Sequence, residues 1–127
     1  MLRNMMRAKI HRATITQCDL NYVGSITIDS ELLAACDIRP NELVHVLDID
    51  NGARLETYVI RGEAGSGIIG INGAAARLVE KGHKVIIVAY GQLLAEALDQ
   101  HIAKVIVCDE KNKIQKKLNY NSIIDQD

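Results

Sequence analysis

The segment Asn21-Tyr22-Val23-Gly24-Ser25 joins two stretches in which apolar and polar residues alternate. Before it, residues 8–11 predict a strand in which Lys9 and His11 share the face opposite the buried one. After it, residues 25–29 alternate in the same way and predict a second strand. The glycine and serine therefore lie where a predicted turn changes to extended backbone.

The remainder of the chain shows short strand patterns separated by turn signals. Ser30 is predicted as the N-cap of a short helix over residues 31–36, which Pro40 stops. Asn51-Gly52, between two strand-like runs, is the strongest hairpin signal. Further strands are predicted over residues 43–47, 54–60, 68–71, 84–90 and 105–108, and further short helices over 74–78 and 93–98. Many short strands with brief helices predict a mainly β fold, a small barrel.

The composition is typical of one globular domain with an aliphatic core. The chain has 127 residues, of which 48% are hydrophobic, and this length suits one domain with a modest core. Four tyrosines and no Phe or Trp leave Ile, Val, Leu and Ala to fill that core. The net charge of −1 supplies no field that attracts nucleic acid, so no nucleic-acid partner is expected.

The cysteines and the first residues bear on the cellular compartment. Cys18, Cys36 and Cys108 are odd in number and lack C-x-x-C spacing, so neither a disulfide framework nor a zinc site is predicted. We expect buried free thiols in a reducing compartment. Arg3 and Arg7 interrupt the first residues, and no apolar run approaches the roughly 20 residues of a membrane span. A cytoplasmic protein with no membrane partner is therefore expected.

Several segments of the chain, taken together, resemble one enzyme family. They are Lys9-Ile10-His11-Arg12-Ala13, Asp19-Leu20-Asn21-Tyr22, Gly24-Ser25, Arg54, Thr57-Tyr58 and Asn72-Gly73-Ala74-Ala75-Ala76. In this combination the chain resembles the aspartate 1-decarboxylase family, pyruvoyl-dependent enzymes that make β-alanine for pantothenate and coenzyme A. The resemblance implies a double-psi β-barrel with short helices, assembled as a homotetramer with active sites between neighbouring subunits.

The resemblance extends over about residues 1–114. Beyond Asp109 the apolar density falls and lysines cluster. We therefore expect a single catalytic domain over residues 1–114 and a flexible tail over residues 115–127.

In the family that the chain resembles, the glycine–serine bond is the site of self-cleavage. Glycine removes the Cβ that would crowd attack of the Ser25 hydroxyl on the Gly24 carbonyl carbon. The amide would become an ester, loss of the Ser25 α-proton would leave dehydroalanine, and hydrolysis would give a covalently bound pyruvoyl group. That carbonyl forms a Schiff base with the substrate amine and draws off electron density when CO2 leaves. Neither a metal ion nor pyridoxal phosphate (PLP) is expected.

The resemblance also implies roles for other residues. Tyr58 matches the family's proton donor, and Thr57 matches a residue of the substrate site whose hydroxyl also stabilises the oxyanion during processing. Arg54 can hold a substrate carboxylate bidentately, and Lys9 can add a point charge. The implied binding loop is Asn72, Gly73, Ala74 and Ala75, where free backbone N–H groups can receive a carboxylate, and His11 and Tyr22 line the site. A purely local hydrogen-bonding role for His11 stays open.

Two other functions remain open from the sequence. One is a pyruvoyl-dependent decarboxylase of another amino acid, although two cations near the site favour a diacid over a basic substrate. The other is a small barrel that binds a partner without catalysis, for example a transcription regulator, which would need a basic patch. The sequence does not decide whether a helper protein assists maturation.

Overall fold

In the computed structural model, which describes residues 1–125, the chain forms strands, one α-helix and two 3₁₀ helices. The strands are β1 (Leu2–Thr14), β2 (Gln17–Asp19), β3 (Ile26–Asp29), β4 (Leu43–Asp48), β5 (Arg54–Gly62), β6 (Ile69–Asn72), β7 (Lys84–Leu94), β8 (Ile102–Cys108) and β9 (Ile114–Asn121). The helix α1 is Ser30–Cys36, and the 3₁₀ helices are Gly73–Arg77 and Ala95–Gln100. Within the described residues, no helix combines the length and the apolar character needed to cross a membrane.

The strands are hydrogen-bonded in the order β2-β6-β3-β5-β4-β7-β1-β8-β9. Strand β1 runs antiparallel to β7 and parallel to β8, while β3 runs parallel to β5 and antiparallel to β6. Strands β4 and β5 form the antiparallel hairpin that Asn51-Gly52 predicts. The mainly β prediction with short helices is confirmed, and this sheet is consistent with a small barrel.

The core is aliphatic, as the lack of Phe and Trp predicts. The largest fully buried side chains are Ile10, Ile15, Ile26, Ile28, Leu32, Ile69, Ile71, Ile87, Ile106, Val44, Val46 and Val59. Most of them lie on strands, where successive side chains point to opposite faces, while Leu32 lies on α1 and Ile15 directly follows β1. Each such side chain contributes about 1.5–3 kcal/mol to stability when fully buried. This burial stabilises the strands next to the Gly24-Ser25 bond.

Helix α1 is capped by a different residue from the one predicted. The N-cap is Asp29 rather than Ser30, because the Asp29 carboxylate accepts a hydrogen bond of 2.9 Å from the N–H of Glu31. The same carboxylate accepts bonds of 3.0 and 2.8 Å from the N–H groups of Gly65 and Gly67. Burial opposes the ionisation of Asp29, but these N–H donors outweigh it and hold its pKa below the ordinary value.

Helix α1 ends at the predicted residue, but not for the predicted reason. The helix ends at Cys36 because Asp37 adopts a left-handed conformation with φ of 54°, and its N–H closes the last turn on Ala34 and Leu33. Pro40 lies beyond this cap and does not stop the helix.

The two other predicted helices are 3₁₀ turns with slightly different limits. The run predicted over residues 74–78 is the 3₁₀ helix Gly73–Arg77. The run predicted over residues 93–98 begins two residues later, at Ala95, because β7 continues through Leu94 in its pairing with β1. Residues 93 and 94, which were predicted as helical, therefore belong to β7 and pair with β1.

Regular structure continues beyond Ile114, where a flexible tail was expected. Strand β9 pairs antiparallel with β8, from Cys108 opposite Ile114 to Ile102 opposite Asn121. Leu118 lies opposite Val105 in this pairing. The clustered lysines are compatible with a strand because charged side chains are common on the edge strand of a sheet. Within the predicted tail, residues 126 and 127 lie outside the described residues. The domain boundary at residue 114 stays a prediction.

Two of the three thiols are buried, and the third is not. Burial raises the pKa of Cys36 to about 12 and that of Cys108 to about 11, so both stay protonated at neutral pH. Cys18, on the short strand β2, is exposed, and the prediction that it is buried is wrong. All three are free thiols, as predicted.

The turn before β7 is held by an ion pair with the β4–β5 hairpin. His83 Nδ1 lies 2.6 Å from Oδ2 of Asp48, whose side chain is fully buried. The hydrogen bond to Asp48 raises the pKa of His83 above its ordinary 6.5, and the charges of Asp48, Asp50 and Glu80 add to this effect. The protonated imidazole is therefore the form that the fold stabilises.

This pair predicts a pH-dependent stability. A group whose pKa is raised in the folded state contributes fully below its unfolded pKa, and the contribution is lost as pH rises through the folded value. We expect the Tm of the wild type minus that of His83→Gln to shrink as pH rises from about 6 to about 9. Thermal unfolding across this range measures the difference, and a difference that stays constant or grows contradicts the account.

Candidate active site

Strand register places Ser25 between two residues of the predicted site. Ile26 lies opposite Val59 on the parallel neighbour β5 and opposite Ile71 on the antiparallel neighbour β6. One residue earlier, Ser25 therefore lies next to Tyr58 on one side and Asn72 on the other. Residues far apart in the sequence meet here because β3 is a short strand between two partners.

The Gly24-Ser25 bond has an unusual backbone. Gly24 has φ of 64° and Ser25 has φ of 89°, and such positive values are uncommon for a residue with a Cβ. Ser25 is also 1% exposed, so a polar hydroxyl and a strained backbone are buried together. Strain of this kind costs about 1–3 kcal/mol and persists only where the surroundings enforce it.

The carboxamide of Asn72 contacts the serine hydroxyl directly. Asn72 Nδ2 donates a hydrogen bond of 3.2 Å to Ser25 Oγ, and the Asn72 N–H donates one of 2.9 Å to the Ser25 carbonyl. Nδ2 also donates to Oγ1 of Thr27 at 3.2 Å. Asn72 is 2% exposed, so these bonds form away from water and hold the Ser25 hydroxyl in one place.

Tyr58 holds the residue before the glycine. Its hydroxyl donates a hydrogen bond of 2.8 Å to the carbonyl of Val23, and the phenol edge lies beside Gly24. Tyr58 remains 39% exposed, so solvent or a small molecule can reach it. The phenol therefore lies next to the bond that is predicted to break and faces an accessible surface.

Gly73 packs directly against the backbone of Gly24. Gly73 has φ of 68°, and a Cβ built on it would lie 2.7 Å from the Gly24 Cα and 2.8 Å from the Gly24 nitrogen. Only glycine allows this approach, so the start of the first 3₁₀ helix presses on the strained segment. Of the other loop residues, Ala74 is exposed and Ala75 packs against the core.

Thr57 and Tyr22 are less closely tied to the serine. Thr57 lies opposite Val44 in the β4–β5 ladder and is half-buried, on the face of β5 opposite Tyr58. Among the described residues, no hydrogen bond joins its side chain to Gly24 or Ser25. Tyr22 is half-exposed in the turn that precedes the glycine. Their predicted roles therefore stay predictions.

The three basic residues of the predicted site, Lys9, His11 and Arg54, are not hydrogen-bonded to the Gly24-Ser25 segment within the described part of the chain. The Arg54 side chain is exposed there and has neither an ion pair nor a hydrogen bond, and the Lys9 ammonium lies 5.9 Å from the centre of the Tyr120 ring. In the ladder, Arg54 and His11 are three strands apart, or about 14 Å.

His11 carries an unsatisfied atom. Its Nδ1 is buried and has no hydrogen-bond partner within residues 1–125. Burial lowers the pKa of His11, and the charges of Lys9 and Arg12 lower it further, so the neutral imidazole dominates near pH 7.

One group of side chains has donor atoms spaced as in a metal site. Asp48, Asp50 and His83 bring such atoms within 4.8 Å of one another. The Asp48 carboxylate already bonds to His83 and accepts from two backbone N–H groups of its turn, and Asp50 accepts from the Lys84 N–H. The ion pair and the turn account for this cluster without an ion.

Sequence reasoning missed two contributors to the site. Thr27 shares the Asn72 carboxamide with Ser25, and the Val23 carbonyl binds Tyr58. The strand alternation carried a signal for Thr27, because residues 25 and 27 of one strand point to the same face. Nothing in the sequence indicates the Val23 contact, which depends on the path of an exposed turn.

The fold and the site together define a small, mainly β protein built around a buried, strained serine that follows a glycine. A family model described as aspartate decarboxylase matches residues 1–115. An aspartate 1-decarboxylase of Bacillus cytotoxicus is 57% identical over 119 residues, which cover 94% of each chain. One from Listeria monocytogenes serotype 4a is 57% identical over 115 residues, or 91% of each chain. The chain belongs to the aspartate decarboxylase family, which confirms the resemblance seen in the sequence.

Proposed function

We propose that this chain decarboxylates L-aspartate to β-alanine and CO2, and that the product supplies pantothenate and coenzyme A. The family match and the names of two relatives support this activity. The observation that carries the proposal is the Gly24-Ser25 bond, where positive φ values, burial and a bound hydroxyl coincide. An ordinary turn does not require this combination of three features.

Self-processing at this bond would generate the electrophile. Ser25 Oγ forms a bond to the Gly24 carbonyl carbon, and the bond from that carbon to the Ser25 nitrogen breaks. Loss of the Ser25 α-proton then breaks the Cβ–Oγ bond, so Oγ leaves as part of the Gly24 carboxylate. The remaining dehydroalanine takes up water and releases ammonia, which leaves a pyruvoyl group. Breaking the bond also releases the backbone strain at Ser25.

The residues around Ser25 fit a pyruvoyl group made in place. That group supplies a carbonyl which condenses with the substrate amine and accepts electron density when CO2 leaves. Tyr58 is the proposed proton donor, since its hydroxyl lies beside Gly24 and is reached from solvent. Asn72, Gly73, Ala74 and Ala75 form the proposed binding loop, and Thr57 is proposed for processing and substrate binding. No metal ion and no pyridoxal phosphate enters this scheme.

The basic residues are proposed to act across subunits of a homotetramer. Arg54 is exposed and unpaired within residues 1–125, His11 Nδ1 has no partner there, and neither bonds to Ser25. A neighbouring subunit that presents Arg54, Lys9 and His11 to another chain's Ser25 would complete a site for a dicarboxylate, with Tyr22 lining it. Residues 1–114 are the proposed catalytic domain. A cytoplasmic location remains a prediction, and assistance by a helper protein stays an open alternative to autonomous maturation.

Product analysis tests the activity. Purified, processed protein is incubated with L-aspartate, and separately with L-glutamate, L-histidine and L-arginine, while β-alanine or the corresponding amine and CO2 are measured. We expect rapid β-alanine formation from aspartate and little product from the basic amino acids. Efficient decarboxylation of a basic amino acid, or no turnover of aspartate by processed protein, contradicts the proposal.

Arg54→Ala is expected to lose aspartate turnover while still cleaving at Gly24-Ser25. Removing one partner of a bidentate charged contact in a sheltered site costs about 2–5 kcal/mol, so kcat/KM should fall by more than roughly tenfold. Arg54→Lys keeps the charge without the planar fork and should recover only part of the loss.

Arg61→Ala is the matched control, because Arg61 is an exposed arginine on the same strand. Its kcat/KM should match the wild type. If fully processed Arg54→Ala has the wild-type kcat/KM for aspartate, Arg54 does not bind the substrate.

A further inference from the structure

Thr27 lies beside the proposed nucleophile and shares its hydrogen-bond donor. Ser25 immediately precedes β3 and Thr27 is the second residue of that strand, and the hydroxyls of both face the Asn72 carboxamide. Asn72 lies opposite Ser25 on β6 and diagonal to Thr27. Its Nδ2 donates 3.2 Å bonds to both Ser25 Oγ and Thr27 Oγ1.

These two bonds use the full donor capacity of the carboxamide nitrogen. A primary amide carries two N–H donors, and here each has one hydroxyl acceptor. With both in place, the amide plane is fixed and one N–H points at Ser25 Oγ. Without the Thr27 hydroxyl, one buried N–H of the carboxamide would lack a hydrogen-bond partner. An orientation of the amide that is rotated away from Ser25 Oγ, or flipped, would then be lower in free energy.

We propose that Thr27 is a positioning residue for self-processing, an inference that rests on the proposed function. Its hydroxyl fixes the Asn72 carboxamide, and the carboxamide in turn holds Ser25 Oγ for attack on the Gly24 carbonyl carbon. Thr27 itself touches neither reacting atom. The effect of Thr27 on the cleavage rate therefore passes through Asn72.

The test compares cleavage rates of hydroxyl-deleting and hydroxyl-keeping variants. Precursor is isolated in the cold after brief expression, warmed, and followed by intact-mass analysis over time. Thr27→Val keeps the size and the strand preference of the residue but removes the hydroxyl, and we expect cleavage about tenfold slower or more. Thr27→Ser restores the hydroxyl and should recover most of the rate.

Thr16→Val is the matched control for loss of a threonine hydroxyl that binds β6. Thr16 Oγ1 bonds to both the N–H and the carbonyl of Ile69, which is at the opposite end of this four-residue strand from Asn72. We expect Thr16→Val to lower the Tm but to cleave at the wild-type rate. Thermal unfolding of every precursor separates loss of stability from loss of positioning.

A double-mutant cycle decides whether Thr27 acts through Asn72. In an Asn72→Ala chain, adding Thr27→Val should slow cleavage no further. The proposal is overturned if Thr27→Val cleaves as fast as the wild type or if Thr27→Ser is as slow as Thr27→Val. It is also overturned if the rate reductions caused by Asn72→Ala and Thr27→Val multiply in the double variant. These outcomes differ from failure of the proposed function, in which the wild-type chain itself would not cleave.

Discussion

Ser25→Ala is expected to leave the chain uncleaved and to abolish β-alanine formation. Alanine has no oxygen to attack the Gly24 carbonyl, so neither the ester nor the pyruvoyl group can form. The Asn72 carboxamide would lose one acceptor, but its bond to Thr27 and the bond from the Asn72 backbone N–H to the carbonyl of residue 25 do not depend on the hydroxyl. The precursor should therefore fold. Intact-mass analysis and an aspartate assay on the same sample measure both losses.

The chain supplies its own control, because Gly65-Ser66 is a second glycine–serine pair. Ser66 is exposed and its hydroxyl bonds to the Glu63 carbonyl at 2.6 Å, within a surface turn. Ser66→Ala should be processed and active like the wild type. If Ser25→Ala still yields two fragments, or if Ser66→Ala blocks cleavage, the cleavage site is assigned wrongly.

Tyr58→Phe is expected to cleave normally but to turn over aspartate at least a hundredfold more slowly. The Tyr58 hydroxyl can deliver a proton after CO2 leaves, and positioned acids of this kind contribute roughly 10²–10⁴-fold. The substitution keeps the ring against Gly24 and removes the bond to the Val23 carbonyl. Val23 is 83% exposed, so water can replace that bond and processing should continue.

The measurement is turnover per pyruvoyl group, corrected for uncleaved chain by mass spectrometry. Tyr90→Phe is the control, since Tyr90 is a similarly exposed phenol whose hydroxyl bonds to His45 rather than to the Gly24 segment. It should stay within a few-fold of the wild type. If Tyr58→Phe decarboxylates aspartate at the wild-type rate, Tyr58 only packs against Gly24, and His11 or water is the next candidate donor.

Most strands could be predicted from the sequence, because alternation reports which face of a strand is buried, but β2 and β9 were not predicted. The alternation placed Arg54 and Tyr58 on one face of β5, and both are exposed there. Boundaries were harder. Asp29 displaced Ser30 as the N-cap because the carboxylate also binds Gly65 and Gly67, residues more than thirty-five positions away. Such a long-range contact has no local signature.

The site was predictable in its members but not in its arrangement. The resemblance supplied Ser25, Tyr58 and Asn72, whereas their meeting depends on β3 lying between β5 and β6, which alternation does not specify. The resemblance also supplied Arg54. The sequence pattern around Arg54 does not reveal that, within residues 1–125, this residue is not hydrogen-bonded to Ser25. Symmetric assembly, which sequence patterns do not report, is the proposed reason.

The most direct test of the account is intact-mass analysis of the purified wild-type chain. It predicts two fragments, residues 1–24 ending in a free carboxylate and residues 25–127 beginning with a blocked, carbonyl-reactive group. Treatment with hydroxylamine or borohydride should shift the mass of the second fragment alone. A chain that stays whole after prolonged warming, or a second fragment that begins with an ordinary serine amine, would contradict the account.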